Sequence, residues 1–356
     1  MYSFVNGILS STYKILNRSV PQGSILGPLL FLIFINDLPL SNELDNFLFA
    51  DDTTALLAGS DISIVGNFVN KQLQKLGLWL RANDLIINTS KTKVMIFSNK
   101  QSIPDFPFIF NLNDPDGPVN VDLIQPLERI SNSSPVTTVK MLGVLLDENL
   151  SFTQHCQKIS KKISSALFHL NSVKHSLSTS ALTKLYYALI HPHLLYCLPV
   201  FSFASKKNLS LIRNKQKQCI RIIHKAKFNA HTEPLFFKSQ ILPLDDLVLQ
   251  QKLIFMHSLM YNYTPVTYQD FFLNREASWN YFNLRNSNDF FVARAHSNLV
   301  QKMPLIDFPQ SWNDLDQSFK DISSKIGFKK QLKLYLLDKY TNFRCSNLVC
   351  YSCINV

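Results

Sequence analysis

Asn46-Phe-Leu-Phe-Ala-Asp-Asp-Thr-Thr-Ala-Leu-Leu57 is the stretch that decides the fold, because two apolar runs flank a pair of adjacent carboxylates. This pattern predicts a β-hairpin that carries Asp51 and Asp52 at its tip. Burying two acids beside apolar side chains is unfavourable without a compensating cation, and Mg²⁺ supplies one. Because successive strand residues point to opposite faces, we expect only one carboxylate to face a metal directly. An exposed Asp-Asp turn is the alternative interpretation.

The segments around this hairpin predict a mixed α and β architecture. Upstream, Val20–Ser24 has the composition of a turn, and Ser24 is expected to cap a helix over Ile25–Leu38. That helix is apolar almost all round, so we expect it to be buried. Downstream, the periodicity predicts a helix over residues 61–82, followed by strands over residues 85–88, 93–97 and 140–147.

The composition excludes several classes of protein. Hydrophobic residues make up 46% of the 356 residues and charged residues 17%, which excludes a disordered chain. The longest apolar runs are short or interrupted by Pro and His, so no membrane partner is expected. No secretory signal is visible, and the cysteine spacing does not suggest a disulfide framework. We therefore expect an intracellular protein, with nucleus and cytoplasm both open.

The positive charge is concentrated in one part of the chain. The formal net charge is +11, yet residues 151–232 contain 13 Lys and Arg and no Asp or Glu. Such a block indicates a polyanionic partner, with a solvated charged surface as the alternative. Helical periodicity dominates this block and the residues after it, and it predicts helices over residues 152–177, 179–196 and 206–227. The apolar residues of the first and third helices are expected to face inward, namely Ile159, Ile163, Ala166, Leu170, Val173, Leu209, Ile212, Cys219 and Ile223.

Four ordered motifs resemble those of the reverse transcriptases of non-LTR (LINE-like, jockey-type) retrotransposons. Ser19–Phe31 is similar to motif B, and Phe49–Thr53 is similar to motif C. Leu85–Asn88 together with Lys91-Thr-Lys93 resembles motif D, and Met141–Val144 resembles motif E, the primer grip. A looser resemblance continues to the end of the chain. It includes Ser311–Asp314 and Phe328–Lys333.

The resemblance implies roles for individual residues in RNA-templated DNA synthesis. Asp51 would bind Mg²⁺ directly, with Asp52 as its less direct neighbour, in a catalytic site for two Mg²⁺ ions. Lys91 would approach the incoming deoxynucleoside triphosphate, with Lys93 as the alternative. The partners implied are an RNA template and a DNA primer. Gln22 and Gly23 would line the template and nucleotide pocket, and Met141, Leu142, Gly143 and Val144 would hold the primer end.

The same resemblance exposes a gap in the metal site. Family polymerases use a further aspartate from motif A, upstream of motif B, whereas residues 1–36 contain no Asp or Glu. We therefore expect a fragment, truncated before motif B and inactive alone unless another chain supplies the missing palm segment. A non-catalytic nucleic-acid-binding remnant and a decaying copy without a stable protein are the alternatives.

The expected fold class is α+β, with a partial polymerase palm followed by mostly helical regions. The palm is expected over residues 1–148, a basic helical thumb over 149–232 and a helical C-terminal region over 233–356. In the thumb, cations recur every four residues along one predicted helix, which suits sequence-independent contact with a nucleic-acid backbone. The stripe consists of Arg213, Lys217, Arg221 and Lys225.

The cysteines do not predict a metal centre. Cys345, Cys350 and Cys353 lack a fourth zinc ligand nearby, so we expect free thiols in the tail rather than zinc. Cys156, Cys197 and Cys219 lie on apolar stretches of predicted helix and are expected in the core. His191-Pro192-His193 is expected to interrupt a helix rather than to bind a metal.

Overall fold

The computed structural model contains helices and small sheets, which confirms the mixed fold class. The chain divides into two compact units, residues 1–137 and 138–356. The expected boundaries at 148 and 232 do not coincide with this division, because residues on both sides of 232 share one hydrophobic core. The structure describes residues 4–5, 8–9, 23–98, 100, 103–113, 123–272, 289–295 and 298–341.

The first unit combines two helices with short two-stranded sheets. Three described strand pairs, β1–β2, β3–β4 and β6–β7, are antiparallel, and β5–β8 is parallel. A 3₁₀ turn over Leu38–Ser41 follows the first helix. The elements are β1 Phe4–Val5, β2 Ile8–Leu9, α1 Gly27–Ile35, β3 Asp45–Phe49, β4 Asp52–Leu56, α2 Ile62–Ala82, β5 Lys93–Met95, β6 Ile109–Asn111, β7 Ile124–Pro126 and β8 Glu128–Ile130.

Helix α2 organises the core of the first unit and confirms the helix predicted over residues 61–82. The Asp61 carboxylate accepts hydrogen bonds from the backbone N–H groups of Ser63 and Ile64, which caps the helix. Along the apolar face of the helix, Leu73 and Leu76 pack in one buried cluster with Phe110 of β6 and other apolar residues. Burial of this apolar face stabilises a helix that its capping alone would leave marginal.

Helix α1 differs from the prediction in length and in burial. It spans Gly27–Ile35 rather than 25–38, and among its residues only Ile35 is buried. Leu29 is 56% exposed and Ile33 is 66% exposed, so the expectation of a buried helix is wrong for the described structure. The core of this unit forms on α2 and β6, which leaves the other faces of α1 open.

The strand expected over residues 85–88 is also absent from the described structure. This segment is irregular and ends in a local turn instead. The Lys91 N–H donates to both the backbone carbonyl and the side-chain oxygen of Asn88. The Thr92 hydroxyl also donates to the Asn88 backbone carbonyl. Asparagine competes with regular structure by such local bonds, which explains why the apolar run does not become a strand.

The second unit begins with a hairpin and continues as a bundle of helices. The single strand expected over residues 140–147 is two strands, because Leu142 (φ 45°) and Gly143 (φ 92°) turn the chain between them. The elements are β9 Val139–Met141, β10 Val144–Leu146, α3 Thr153–Val173, α4 Thr179–Leu189, α5 His191–Leu195, α6 Leu198–Phe201, α7 Lys206–Ile223, α8 Glu233–Ser239, α9 Leu244–Met260, α10 Asn298–Gln301, α11 Pro304–Asn313, α12 Gln317–Lys320 and α13 Lys325–Asp338.

The helical core confirms the inward faces predicted for α3 and α7. The buried residues of both helices recur at helical spacing and join one cluster that extends to Trp312 and Phe328. The interruption at His191-Pro192-His193 is confirmed as well, since α4 ends at Leu189 and α5 begins at His191. The predicted inward residues that are buried are Ile159, Ile163, Ala166, Leu170, Leu209, Ile212, Cys219 and Ile223.

Candidate metal and nucleic-acid sites

The β3–β4 hairpin carries both carboxylates at its tip, as the sequence predicts. Phe49 pairs with Asp52 across the hairpin, and Ala50 and Asp51 form the connection between the strands. Ala50 has a positive φ of 51°, which allows the chain to reverse within two residues. Asp51 and Asp52 are both exposed. The hairpin therefore presents two adjacent carboxylates to solvent.

The apolar flanks of the acidic pair are not buried in the described structure. Phe47 is 54% exposed and Phe49 is 64% exposed, so the expected burial beside the acids is not found. Within the described residues, neither carboxylate takes part in a hydrogen bond or an ion pair. No group of three or more His, Cys, Asp or Glu gathers there either. Two open carboxylates fit one side of a Mg²⁺ site whose remaining ligands are water and phosphate oxygens.

The turn before α1 is described from Gly23 onward, and Gln22 lies outside the described residues. Gly23 has a φ of 84°, a backbone conformation that favours glycine. Among the described residues other than its chain neighbours, no heavy atom lies within 4 Å of the position that a Cβ would take at Gly23. The Ser24 hydroxyl oxygen accepts a hydrogen bond from the Gly27 N–H at 2.9 Å, but the N-cap of α1 is Leu26, which has no side-chain cap. The prediction that Ser24 caps the helix is therefore wrong, because the helix begins two residues later than expected.

The two lysines of the motif D segment have different surroundings. The Lys93 ammonium group forms an ion pair with Glu128 on the neighbouring strand. Lys91 is exposed on the Asn88 turn and forms no ion pair within the described part of the chain. A lysine without a carboxylate partner is the better candidate for a phosphate, so this geometry favours Lys91 over its alternative.

The segment Met141–Val144 forms the turn of the β9–β10 hairpin. The Tyr196 hydroxyl donates a hydrogen bond to the Leu142 carbonyl, and Lys158 Nζ donates to the Gly143 carbonyl at 3.4 Å. The sequence reasoning missed Tyr196, for which no local signal exists. Lys158 was recognisable only as a lysine on the outer side of a helix. Both side chains hold the turn against the helices of the second unit.

Three of the four cations of the predicted α7 stripe have partners within the protein. Arg213 forms a bidentate pair with Asp245 at 2.9 and 2.6 Å, and this hydrogen bonding raises the pKa of Arg213. Lys217 lies 3.3 Å from a Glu233 carboxylate oxygen.

The last two members of the stripe do not extend it as an open row of charge. Arg221 donates to the Ala230 carbonyl at 2.9 Å. Lys225 follows the end of α7, is exposed, and forms no ion pair within the described residues. The predicted stripe is thus largely engaged by side chains and backbone from beyond residue 229, and its contact with phosphates stays a prediction.

Two of the three cysteines of the helical block lie in the core, as the sequence predicts. Cys156 and Cys219 are fully buried, and burial raises the pKa of Cys156 to about 11 and that of Cys219 to about 12. Cys197 differs from the expectation, because it is only partly buried and precedes α6 with a φ of 53°. The tail cysteines Cys345, Cys350 and Cys353 lie outside the described residues.

Comparison with known proteins agrees with these motifs. Residues 1–146 match the family described as reverse transcriptase (RNA-dependent DNA polymerase). The RNA-directed DNA polymerase from mobile element jockey of Drosophila funebris is 26% identical over 63% of this chain and 24% of its own length. The probable RNA-directed DNA polymerase from transposon BS of Drosophila melanogaster is 28% identical over 59% of this chain and 22% of its own length. No solved structure matches.

The matches agree on one class of protein, the reverse transcriptases, and on its representatives in mobile elements. Residues 1–146 are similar to the reverse transcriptase family over their whole length. The chain is similar to RNA-directed DNA polymerases of mobile elements, which confirms the resemblance to LINE-like reverse transcriptases that the four motifs indicate. It spans about a quarter of the length of the curated relatives that it matches. No helix within the described residues is both long enough and apolar enough to cross a bilayer.

Proposed function

We propose that this chain is the palm and thumb part of an RNA-directed DNA polymerase from a non-LTR retrotransposon. The observation that carries the proposal is the hairpin that presents Asp51 and Asp52 within the region matching the reverse transcriptase family. On this proposal, residues 1–148 correspond to a palm, 149–232 to a thumb and 233–356 to a C-terminal region. The partners are an RNA template, a DNA primer and deoxynucleoside triphosphates.

The roles of the site residues follow from their chemistry. Asp51 would hold Mg²⁺ directly, and Asp52 would support it from the adjoining strand position. When bound, Mg²⁺ would neutralise the charge that develops on phosphate oxygens during phosphoryl transfer. Lys91 would bind the triphosphate, the Gln22-Gly23 turn would accommodate template and nucleotide, and residues 141–144 would hold the primer end. The motif order supports these assignments, and the exposure of Asp51, Asp52 and Lys91 supports the roles given to them.

We also propose that the 356 residues do not catalyse synthesis alone. Residues 1–36 contain no carboxylate to join Asp51 and Asp52, and no third carboxylate gathers beside them within the described residues. Phosphoryl transfer depends on the positioning of metals and on charge neutralisation. A site with two of its carboxylates in place is expected to bind metal weakly and to depend on substrate phosphates for further ligands.

The metal assignment is tested with Mn²⁺ as a spectroscopic substitute for Mg²⁺. Electron paramagnetic resonance measures free Mn²⁺ in the presence of the protein, a primed RNA template and a non-hydrolysable triphosphate. We expect Asp51→Asn to weaken Mn²⁺ binding by about tenfold, in keeping with the loss of about 1.4 kcal/mol per factor of ten. Asp45→Asn is the matched control, because Asp45 is an exposed aspartate at the far end of the same hairpin. Equal Mn²⁺ binding by wild type and Asp51→Asn would refute the metal site.

The inactivity is tested by primer extension with the purified chain, Mg²⁺ and a primed RNA template. We expect wild type and Asp51→Asn to give the same background signal. Incorporation above background that disappears in Asp51→Asn and persists in Asp45→Asn would show that the chain is a competent polymerase, and it would overturn the proposed inactivity.

A non-catalytic nucleic-acid-binding protein is the second candidate function. The basic block of residues 151–232, which lacks acids, favours it. Binding that weakens steeply with salt and does not change in Asp51→Asn, together with unaltered Mn²⁺ affinity in that variant, would favour this candidate over the polymerase.

A further inference from the structure

We propose that the turn between α7 and α8 binds unpaired nucleotides, with a base stacked on Phe228 and phosphates held by Lys225 and Lys227. This surface, here called the α7–α8 turn, comprises residues 224–232. Its ligand class is single-stranded nucleic acid, and RNA and DNA both supply the required bases and phosphates. The inference rests on the proposed nucleic-acid binding of this chain and specifies a surface for its unpaired part.

The ring of Phe228 is open to solvent. It is 90% exposed, more than any other Phe, Tyr or Trp side chain among the described residues. Phe228 belongs to neither hydrophobic cluster of the described structure. Apolar surface in water is unfavourable, and every nucleic-acid base has a flat face that can cover such a ring regardless of sequence. Phe228 can therefore serve as a stacking platform.

Lys225 occupies the position at the end of α7 that glycine usually takes. Its φ is 52°, and the N–H groups of Lys225 and Ala226 donate to carbonyls of the last helical turn at 3.1 and 2.9 Å. This arrangement is a Schellman motif. A lysine is less favourable than glycine in such a conformation. The turn thus carries a charge where backbone stability alone favours glycine, which is typical of a residue with a binding role.

The second half of the α7–α8 turn is tied back to the helix. The Ala230 N–H donates to the Lys227 carbonyl at 3.1 Å, and Arg221 Nε donates to the Ala230 carbonyl at 2.9 Å. These bonds fix the backbone on both sides of Phe228. A ring on an ordered turn loses little conformational freedom on binding, and this favours association.

Positive charge flanks the ring without a compensating acid. Residues 224–232 contain Lys225, Lys227 and two histidines but no Asp or Glu. Both lysines are exposed and form no ion pair within the described residues. The next acid along the chain, Glu233, is already engaged, since its carboxylate lies 3.3 Å from Lys217 Nζ. Open cations beside an exposed aromatic ring are the combination that binds a single strand with its bases turned outward.

Lys238 of α8 adds to the positive potential of the turn. Burial lowers the pKa of His224 at the end of α7, and the charge of Lys238 lowers it further. Lys238 is itself exposed. The effect on His224 has the sign expected where cations accumulate.

Charge also favours nucleic acid over an apolar protein partner at this ring. A protein surface that buried Phe228 would remove the two neighbouring ammonium groups from water, which is costly without an acid to pair them. Phe271 is a useful contrast, because it is 65% exposed in the same unit. Residues 261–272 contain no Lys or Arg, and Asp270 directly precedes this ring. Phe271 therefore lacks the cations that a phosphate backbone requires.

The test measures binding of single strands by fluorescence anisotropy. The full chain is titrated against labelled RNA, and separately against labelled DNA of the same sequence, each of about ten nucleotides. We expect Phe228→Ala to weaken binding by about tenfold, because stacking of one base on an aromatic ring contributes about this factor. Phe228→Trp should bind at least as tightly as wild type, since indole offers a larger face. Phe271→Ala is the matched control and should stay within about twofold of wild type.

Salt dependence separates stacking from charge. Each phosphate contact of a single strand contributes about −0.7 to the slope of log K against log salt. Replacing both turn lysines, in Lys225→Gln/Lys227→Gln, should reduce the magnitude of the slope by about 1.4, whereas Phe228→Ala should keep the wild-type slope. The charge-matched control is Lys206→Gln/Lys207→Gln. These exposed lysines lie at the opposite end of α7, about 25 Å along the helix, so we expect a reduction below about 0.5.

The outcomes separate this inference from the proposed function. No binding of any nucleic acid by the wild-type chain would refute the proposed nucleic-acid binding itself. Wild-type binding of a fully paired RNA–DNA duplex but of no single strand would refute only the α7–α8 turn. Equal affinities of Phe228→Ala and Phe271→Ala for both strands, or an equal reduction of slope in the two lysine pairs, would refute it as well. A tenfold loss with RNA alone or DNA alone supports the turn and identifies the strand that supplies the base.

Thermal melting monitors the folding of each variant. If Phe228→Ala does not fold, Phe228→Leu replaces it, because leucine keeps an apolar side chain but has no flat face for a base. Phe228→Leu is expected to show the same loss of about tenfold, and wild-type affinity in that variant would overturn the stacking contact.

Discussion

Replacing Gly143 with alanine tests the turn that positions the motif E segment. Gly143 has a φ of 92°, in the region where an L side chain is strained by about 1–2 kcal/mol. An added Cβ would also lie 3.3 Å from Tyr196 Cε1 and 3.4 Å from its hydroxyl oxygen. That hydroxyl donates to the Leu142 carbonyl, so displacement of the ring would weaken a hydrogen bond worth about 0.5–1.5 kcal/mol. Together these effects predict a loss of about 2 kcal/mol.

Urea unfolding of the purified chain, monitored by circular dichroism, measures this loss. With an m value of about 2 kcal/mol/M, a change of about 2 kcal/mol lowers the midpoint of the transition by about 1 M. Gly327→Ala is the matched control, since it makes the same chemical change within the same unit. Gly327 lies in α13, and a Cβ there would meet its nearest neighbour at an ordinary 3.5 Å. We expect this control to stabilise the protein by up to about 0.5 kcal/mol.

The two alanine variants are therefore expected to move the midpoint in opposite directions. A Gly143→Ala protein as stable as wild type would refute both the strained φ and the close approach of Tyr196. A loss of similar size in both variants would show that the effect does not arise from the turn. Tyr196→Phe provides a further check: without the hydroxyl bond, the additional loss caused by Gly143→Ala should be smaller.

Three further predictions concern stability. Burial is the main cause that lowers the pKa of His191 from 6.5 to about 4, and the positive charges of Lys329 and Lys333 act in the same direction. The unfolded chain therefore binds the proton more tightly, and stability should fall by about 2 kcal/mol as the pH drops from 7.5 to 5. Urea melts of His191→Phe should show a shallower pH dependence, and an unchanged one would contradict the assignment. Phe110→Ala, at a fully buried site in the first unit, should cost about 3–5 kcal/mol in the same assay, and a loss below 1 kcal/mol would argue against that core. Lys320→Met removes the buried ammonium group that lies 2.9 Å from the Asp289 carboxylate and should cost about 3 kcal/mol in thermal melts, and a loss below about 1 kcal/mol would contradict the importance of this pair.

Local patterns in the sequence predicted much of the candidate site. The alternation around Asp51 and Asp52 identified a hairpin with both acids at its tip, because strand period and turn position are encoded within about ten residues. The same holds for the helix over residues 61–82 and for the inward faces of α3 and α7, where helical period decides which residues are buried. Motif order extended this prediction to the family, which the comparisons confirm.

Predictions that depended on distant neighbours were less successful. The apolar composition of α1 predicted burial, yet burial requires a partner surface that the described residues do not provide. The strand expected over residues 140–147 is a hairpin because Leu142 and Gly143 adopt positive φ values, which hydropathy alone does not reveal. The apolar flanks of the acidic hairpin are exposed for the same reason as α1, because packing against other elements decides whether a side chain is buried.

The acidic hairpin, the basic block and the kinship with LINE-like reverse transcriptases were determined by the sequence alone, because each depends on residues close together along the chain. Which cations remain available to a polyanion was decided only by the tertiary structure. Asp245, 32 residues after Arg213, folds back to pair with it, and Glu233 does the same for Lys217. The lysines of α3 stay unpaired among the described residues, since electrostatic pairing depends on distance in space rather than on distance along the chain.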